Sequence, residues 1–464
     1  MAKINVKKLN EDIKNFPQVH PITSDMKTTF EGVSRLVMLD RYTFKDTEKK
    51  TLGVGDLVIL TVKADPKFPA RGYGIVSDIS DGQVSVNLSE EFHATVGAES
   101  ITVGIETVEK PLEVYYEQVA KRVAIGLSKV EQADKQAEVF KEFYAELSAQ
   151  NFIPAGRVLY GAGSETNVTF FNCFVMPYPR DSREGIGKHR NEVMEIMSRG
   201  GGVGTNGSTL RPRNALARGV NGKSSGAVSW LNDIADLTHL VEQGGSRRGA
   251  QMIMLADWHP DVIEFIISKM QNPNILRHII NTTEDEQIGQ LAQDKLKFDP
   301  LSEVERTTLE HALIITDKGT EEYEYISGLI SDGGRYSVHN PDFLTGANIS
   351  VAITKEFMEA VESDGDYELR FPDVENYNDE EMERYNNEWH EVGDVREWEK
   401  LGFGVKTYRT IKAKDLWNLI NVCATYAAEP GVFFIDNANE MTNAQAYGQK
   451  VVATNPLVNV SGRI

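Results

Sequence analysis

The sequence predicts an α/β protein, in which a small β-rich N-terminal domain and a helical segment precede a larger α/β domain. Three observations carry this expectation. The first 110 residues hold short β-branched runs bounded by Gly and Asp. A stretch of helical periodicity follows. From Phe152 onward, short apolar runs alternate with helical patterns and are punctuated by glycine clusters, the mark of an α/β domain whose loops carry function.

In order along the chain, Asp56-Leu57-Val58-Ile59-Leu60-Thr61-Val62 and Gln83-Val84-Ser85-Val86-Asn87-Leu88 read as strands of the N-terminal domain, residues 1–110. Residues 111–150 read as helical, with Val119, Val123, Ile125, Val130, Val139, Phe140, Phe143 and Leu147 near helical spacing. The larger domain is expected over 151–456, with the more polar, less periodic stretch 271–345 as an insertion. After it, Asn348-Ile349-Ser350-Val351-Ala352-Ile353 reads as a buried strand. A helix begins near Lys414, and Gly431-Val432-Phe433-Phe434-Ile435 as a further strand. A chain of 464 residues is too long for one ordinary domain, which suits this division.

Composition excludes several classes. With 41% hydrophobic and 25% charged residues the chain reads as globular, and it has no apolar run long enough to span a bilayer. The segment MAKINVKKLNEDIKNF lacks the apolar core of a signal peptide, so a cytoplasmic setting is expected, with no membrane partner. A net charge of -20 argues against nucleic-acid binding, which needs a basic surface. Much of the acidity is local, from Asp379-Glu380-Glu381 on to Glu399, and reads as a solvated face. Two cysteines cannot form a disulfide framework or a structural zinc site, and no metal site is expected.

Chemistry concentrates in a few places. Arg199-Gly200-Gly201-Gly202-Val203-Gly204 would let a backbone pass close to a ligand, or is plain turn geometry. No Gly-Lys-Ser/Thr follows, so it is not a P-loop. Glu242-Gln243-Gly244-Gly245-Ser246-Arg247-Arg248-Gly249 offers paired guanidinium forks to a phosphate or base edge, or is a solvated surface loop. Cys173, within Phe170-Phe171-Asn172-Cys173-Phe174-Val175, reads as a small hydrophobe in a buried strand. Cys423, on a helical pattern, has the same reading.

Taken in order, these pieces form a larger pattern. Ile153-Pro154-Ala155-Gly156-Arg157, Asn172-Cys173-Phe174-Val175, Asp181-Ser182-Arg183, the glycine run at 200–204 and Leu210-Arg211-Pro212-Arg213 come first. Gly219-Val220-Asn221-Gly222-Lys223-Ser224-Ser225-Gly226, the 242–250 cluster, Asp257-Trp258-His259-Pro260-Asp261 and Ala453-Thr454-Asn455-Pro456 follow. From about Val33 to Pro456 the chain resembles the large, catalytic chain of ribonucleotide reductases. The Gly-Gly-Ser-Arg-Arg-Gly wording is closest to the adenosylcobalamin-dependent class.

The resemblance implies an incomplete ribonucleotide reductase-type α/β barrel, of two parallel half-sheets around a finger loop. It makes Cys173 one of two thiols that reduce the ribose of a ribonucleotide and become a disulfide. Asn455 stands on the finger loop, and Asn172, Gly202, Gly156, Gln243 and Arg247 lie at the substrate. Asp181, Ser182, Arg211 and Lys223 would hold a specificity effector, a deoxynucleoside triphosphate or ATP. Residues 212–225 would form a first loop beside that effector, and the glycines around Gln243 and Arg247 a second. Adenosylcobalamin is the implied cofactor, a thioredoxin- or glutaredoxin-type protein the reductant, and a homodimer the implied assembly. No ATP-binding cone of the family's type is read at the N-terminus.

The resemblance stops at the finger loop. In the family Asn-Pro is followed by Cys-Gly-Glu, whereas here Asn455-Pro456 is followed by Leu457-Val458-Asn459. The chain is therefore expected to work with a complementary C-terminal fragment, or after splicing, with 457–464 foreign to the enzyme. A catalytically inactive nucleotide-binding remnant, and the oxygen-dependent class with a separate radical-generating subunit, are the other readings.

Overall fold

The computed structural model describes residues 4–65, 69–217, 222–243 and 247–455, with the backbone alone at 242, 243, 247 and 248. The chain divides between Asn172 and Cys173 into two compact units.

In the first unit, helix α1 (Gly32–Arg41) precedes an antiparallel sheet of β1 (Leu57–Lys63), β2 (Ala70–Ser80), β3 (Gln83–Leu88) and β4 (Ser100–Gly104), paired in that order. Both expected strands form. β3 alternates as a strand with one covered face must, with Val84, Val86 and Leu88 buried and Gln83 and Asn87 exposed. β1 is buried on both sides, because Val58, Leu60 and Val62 pack within the sheet's own core while Leu57 and Ile59 join a second cluster with the helices.

The expected helical stretch is a pair, α2 (Tyr116–Ser128) and α3 (Gln136–Ser148). Tyr116, Val119, Ala120, Val123 and Ala124 form one apolar stripe of α2 at helical spacing. Arg122 on the same helix is sealed against Glu113. Its Nε reaches Oε1 at 2.8 Å and its Nη2 reaches Oε2 at 3.0 Å, while remaining donors go to the carbonyls of Tyr42, Leu159 and Ala162.

The second unit is built on five parallel strands: β5 (Cys173–Val175), β6 (Gly202–Asn206), β7 (Gln251–Ala256), β8 (Asn348–Ile353) and, further on, Gly431–Phe434. They stand side by side in chain order, so each crossover goes to the next strand. Helices α4 (Arg183–Ser198), α5 (Ala227–Leu240) and α6 (Val262–Ser268) supply the first crossovers. This is the half-sheet of an incomplete barrel.

Alternation along the strands gives the sheet two unlike faces. Ile253, Leu255, Ile349, Val351 and Ile353 point to the helices and form the main core. The opposite face carries small or polar residues, Gly202, Gly204, Asn206, Ser350 and Ala352, beside Met252 and Met254.

Residues 271–345 hold four helices, Pro273–Thr282, Glu286–Lys295, Glu303–Ile315 and Glu321–Asp332, and an antiparallel pair, Leu296–Pro300 with Gly334–Val338. Ile275, Leu276, Ile279, Ile288 and Ala292 from the first two helices enter the main core.

Between β8 and the last parallel strand the chain makes an excursion. Strands β9 (Asp366–Pro372) and β10 (Val405–Lys412) pair antiparallel around helix α7 (Asp379–Val392) and the short helix Val395–Lys400. Here the structure corrects the expectation of a solvated acidic face. The acids do lie outward, but Tyr385, Trp389 and Trp398 on the same stretch are 2%, 1% and 0% exposed. Helix α8 (Ala413–Ala427) then leads to the last strand, here β11 (Gly431–Phe434). No helix among the described residues is long and apolar enough to cross a membrane.

Candidate active and effector sites

Cys173 opens β5 and pairs in register with Gly202 on β6. The expected buried strand at 170–175 is shorter and more open, since only 173–175 pair and Phe171 and Val175 are exposed. The physical reason is position: among the described residues β5 is the edge strand, with a neighbour on one side only. The Cys173 thiol is half-buried as a result.

Register places Cys173 on the small-residue face, with Gly202 beside it and Gly204 two residues further along the same strand. Over Gly204 the chain of residues 451–455 passes very closely. A Cβ on Gly204 would come within 3.3 Å of the Asn455 Cα and would clash outright with the Thr454 carbonyl oxygen. The glycine run thus admits backbone, as expected, and the backbone it admits is the segment that ends in Asn455.

Further bonds hold that segment down. Asn206 Nδ2 donates to the Val452 carbonyl at 2.8 Å, and the Thr454 N–H donates to the Met254 sulfur at 3.2 Å. Ala453 packs with Met252, Met254 and Ala352. Cys173, Gly202 and Asn455 therefore belong to one face of one sheet.

Asp181, Ser182 and Arg211 are also brought together. Ser182 caps α4, accepting from the Gly185 N–H at 3.0 Å. Arg211 Nε donates to Asp181 Oδ2 at 2.6 Å and its backbone N–H to Oδ1 at 3.1 Å, while Nη1 donates to the Leu216 carbonyl at 2.9 Å. Burial works against the Arg211 charge, but the Asp181 carboxylate outweighs it and raises the Arg211 pKa. The Tyr385 hydroxyl donates to the same Oδ2 at 2.6 Å. Burial, and then the Asp181 charge, hold the Tyr385 proton on by raising its pKa well above the ordinary value.

The first expected loop is a hairpin in which Gly222 and Lys223 pair with Ala217 and Leu216. Lys223 is exposed and lies opposite the residue whose carbonyl anchors Arg211. Its tip, including Gly219 to Asn221, lies outside the described residues.

The Asp257-Trp258-His259-Pro260-Asp261 run locks this loop from below. His259 accepts from the Asp261 N–H at Nδ1 (3.0 Å), which assigns the proton to Nε2, and Nε2 then donates to the Leu210 carbonyl at 2.8 Å. The Asp261 carboxylate takes the N–H groups of Arg213 and Ala227. Burial drives the His259 pKa down to about 4 and the Asp261 pKa up to about 6. Asp257 is pushed up to about 7, again by burial, with Thr354 N–H and Tyr367 hydroxyl donating to it.

Gly156 and Asn172 belong to the first unit, where Gly156 opens a short helix against the Tyr42 ring. Gln243 and Arg247 pair backbone to backbone in a two-residue ladder; their side chains, Gly244 to Ser246, and the stretch from Pro456 to Ile464 lie outside the described residues. Cys423 keeps its structural reading: it is fully buried on α8, and burial pushes its thiol up to about 12.

Sequence reasoning missed Tyr385 and Trp389. Their separation by four residues was the available signal, since it puts both on one side of a helix.

The barrel-domain family model of ribonucleotide reductase matches residues 171–458, more than half of the chain, and its all-alpha-domain model matches 106–167. The chain belongs to the ribonucleotide reductase large-chain family. It is similar to the vitamin B12-dependent ribonucleoside-diphosphate reductase of Thermoplasma acidophilum, 34% identical over 146 residues, which is 31% of this chain and 19% of that protein. The enzyme of that description from Mycobacterium tuberculosis is 33% identical over 138 residues, 30% of this chain and 20% of the relative. The ribonucleoside-diphosphate reductase large subunit of Arabidopsis thaliana is 32% identical over 160 residues, 34% of this chain and 18% of the relative. The matched stretches span about a fifth of the length of these curated relatives.

Proposed function

We propose that this chain supplies the effector-reading part and one half of the catalytic barrel of a ribonucleotide reductase. In this reading it works with a polypeptide that carries the Cys-Gly-Glu its own Asn455-Pro456 lacks. The supporting observation is the placement of the half-buried Cys173 and the Thr454-Asn455 backbone over one face of one sheet. The overall change is balanced: a ribonucleotide and two thiols give a 2′-deoxyribonucleotide, water and one disulfide. Cys173 is one thiol, and the second comes from the complementary chain, because Cys423 is buried and too basic to exchange. A thioredoxin- or glutaredoxin-type protein then returns both to thiols, and the chain acts as a homodimer in the cytoplasm.

Asn172, Gly202, Gly156, Gln243 and Arg247 are assigned to the substrate. Asp181, Ser182, Arg211 and Lys223 are assigned to a deoxynucleoside triphosphate or ATP effector, which by linkage tightens substrate binding as substrate tightens its own. Two relatives are named for vitamin B12, and adenosylcobalamin is our assignment for the cofactor, which would supply the radical that starts the reaction. The described residues do not fit that group, since residues 451–455 already cover the inner sheet face above Met252, Met254 and Ala352. No step here is routed through it. A nucleotide-binding remnant without catalysis is the second reading, favoured by the completeness of the Asp181–Arg211–Tyr385 network within this chain.

Single-turnover product formation, with thiols counted before and after, tests the proposal. The chain alone should form no deoxynucleotide. Joined by a chain beginning Cys-Gly-Glu, it should lose two thiols per product; Cys173→Ser should abolish product and Cys423→Ser should not. Normal product from Cys173→Ser overturns the assignment of the thiol, and turnover by the 464-residue chain alone overturns the need for a second polypeptide.

A further inference from the structure

Asp181 has more partners than an effector site alone explains. Its carboxylate is 6% exposed, yet three donors already converge on it: Arg211 N–H on Oδ1, and Arg211 Nε and the Tyr385 hydroxyl on Oδ2. A carboxylate offers about four acceptor positions, so one remains for a hydroxyl of an incoming nucleotide. Which one remains is decided by the Tyr385 bond, because that bond and the Arg211 fork together fix the rotation of the carboxyl group.

Tyr385 is itself held rigidly. Its ring stacks on Trp389 at 6.3 Å and 13°, and meets Trp398 edge-on at 6.4 Å. Trp389, four residues along the same face of α7, donates from Nε1 to the Thr209 carbonyl at 2.9 Å. Thr209 in turn donates its hydroxyl to the Pro179 carbonyl at 2.7 Å. One helix of the β9–β10 excursion thus grips both chain segments that carry the effector pair, 179–181 and 209–211.

We propose that Tyr385 is a positioning residue of the effector site, orienting the Asp181 carboxylate for nucleotide through its hydroxyl, with Trp389 clamping the Thr209 side. The inference rests on the reading of Asp181 and Arg211 as effector ligands. It gives the excursion a function: the effector pocket has a back wall whose movement would change nucleotide affinity without touching nucleotide.

Calorimetric titration of the whole chain with dTTP tests it. Tyr385→Phe keeps the ring stack and removes one charge-assisted hydrogen bond, so affinity should fall about tenfold. In an Asp181→Asn background the same substitution should change affinity by less than about twofold, because the two act as one unit. Phe403→Leu disturbs the same aromatic cluster at its far side, where Phe403 stacks on Trp398; it should lower the melting temperature and leave dTTP affinity unchanged. Full additivity of Tyr385→Phe with Asp181→Asn, or an affinity loss in Phe403→Leu equal to that of Tyr385→Phe, reduces Tyr385 to a packing role and overturns the proposal. If Arg211→Ala weakens dTTP while Tyr385→Phe binds as wild type does, this inference fails and the effector reading stands. Absence of dTTP binding by the wild-type chain overturns both.

Discussion

The two units each contain an arginine–carboxylate pair, and the pairs differ in how completely they are closed. Arg122 and Glu113 are 1% and 0% exposed, and the guanidinium spends its donors on both carboxylate oxygens and on four backbone carbonyls. Arg211 and Asp181 are 21% and 6% exposed. Arg211 spends Nε on the carboxylate and Nη1 on the Leu216 carbonyl, and its Nη2 reaches only the Asp181 carbonyl, at a long 3.4 Å. Since a guanidinium has five N–H donors, among the described residues the second pair keeps donors over and the first keeps none. A sealed pair can only hold the fold, whereas an open one has capacity for an anion.

The largest effect should come from breaking the sealed pair. Glu113→Gln leaves the Arg122 charge buried without its partner, which should cost about 3–5 kcal/mol in chemical denaturation. A loss below about 1 kcal/mol would mean that water reaches Arg122 and that the two pairs are alike.

A smaller, pH-dependent effect sharpens the contrast within the second unit. His259 is buried and neutral beneath the 212–225 loop, and burial lowers its pKa to about 4 against 6.5 for a free imidazole. Between those values the unfolded chain binds a proton that the folded chain refuses. The stability from His259 is therefore complete above pH 6.5 and is lost as pH falls to 4, on the order of 3 kcal/mol. Asp257 and Asp261 act in the opposite sense, because their raised pKa values favour the folded state as pH falls below about 7 and 6. Comparing wild type with His259→Asn separates the terms. The stability advantage of wild type should narrow by roughly 3 kcal/mol from pH 7 to pH 4, and an advantage constant across that range would show that His259 is not held neutral by burial.

How far the sequence foretold these features depended on the distance over which each signal acts. The strands at 57–63 and 83–88 were legible because a short β-branched run is a local signal, and β8 because five consecutive apolar or small residues, Ile349 to Ile353, match a strand buried on both faces. Asp181, Ser182 and Arg211 were legible as motif residues, and the structure does bring them together. Two things were not legible. The partial exposure of Cys173 follows from β5 being an edge strand, and strand order is a non-local property that an apolar run does not report. The Tyr385–Asp181 bond joins residues 204 apart in sequence. There the acids of 379–399 masked an aromatic stripe of equal helical regularity, because charge dominates composition while three aromatic side chains dominate burial.

The smallest effect concerns the open pair. Arg211→Ala removes a partly exposed guanidinium and leaves Asp181 the Tyr385 hydroxyl as a donor, so the folded state loses less than in the Glu113 variant, where a buried charge keeps no ionic partner. Effector affinity is where the substitution should register. One charge-assisted contact to a triphosphate is worth about 1–3 kcal/mol, so dTTP affinity should drop by about tenfold or more at constant salt. Arg211→Lys makes the test sharper. A lysine keeps the charge but has no planar fork, so it cannot hold Asp181 and a phosphate oxygen together in fixed geometry. Its affinity should fall between those of wild type and Arg211→Ala. Equal affinities for all three proteins would mean that the open donors of Arg211 face water alone, and the comparison between the two pairs would then be one of exposure without function.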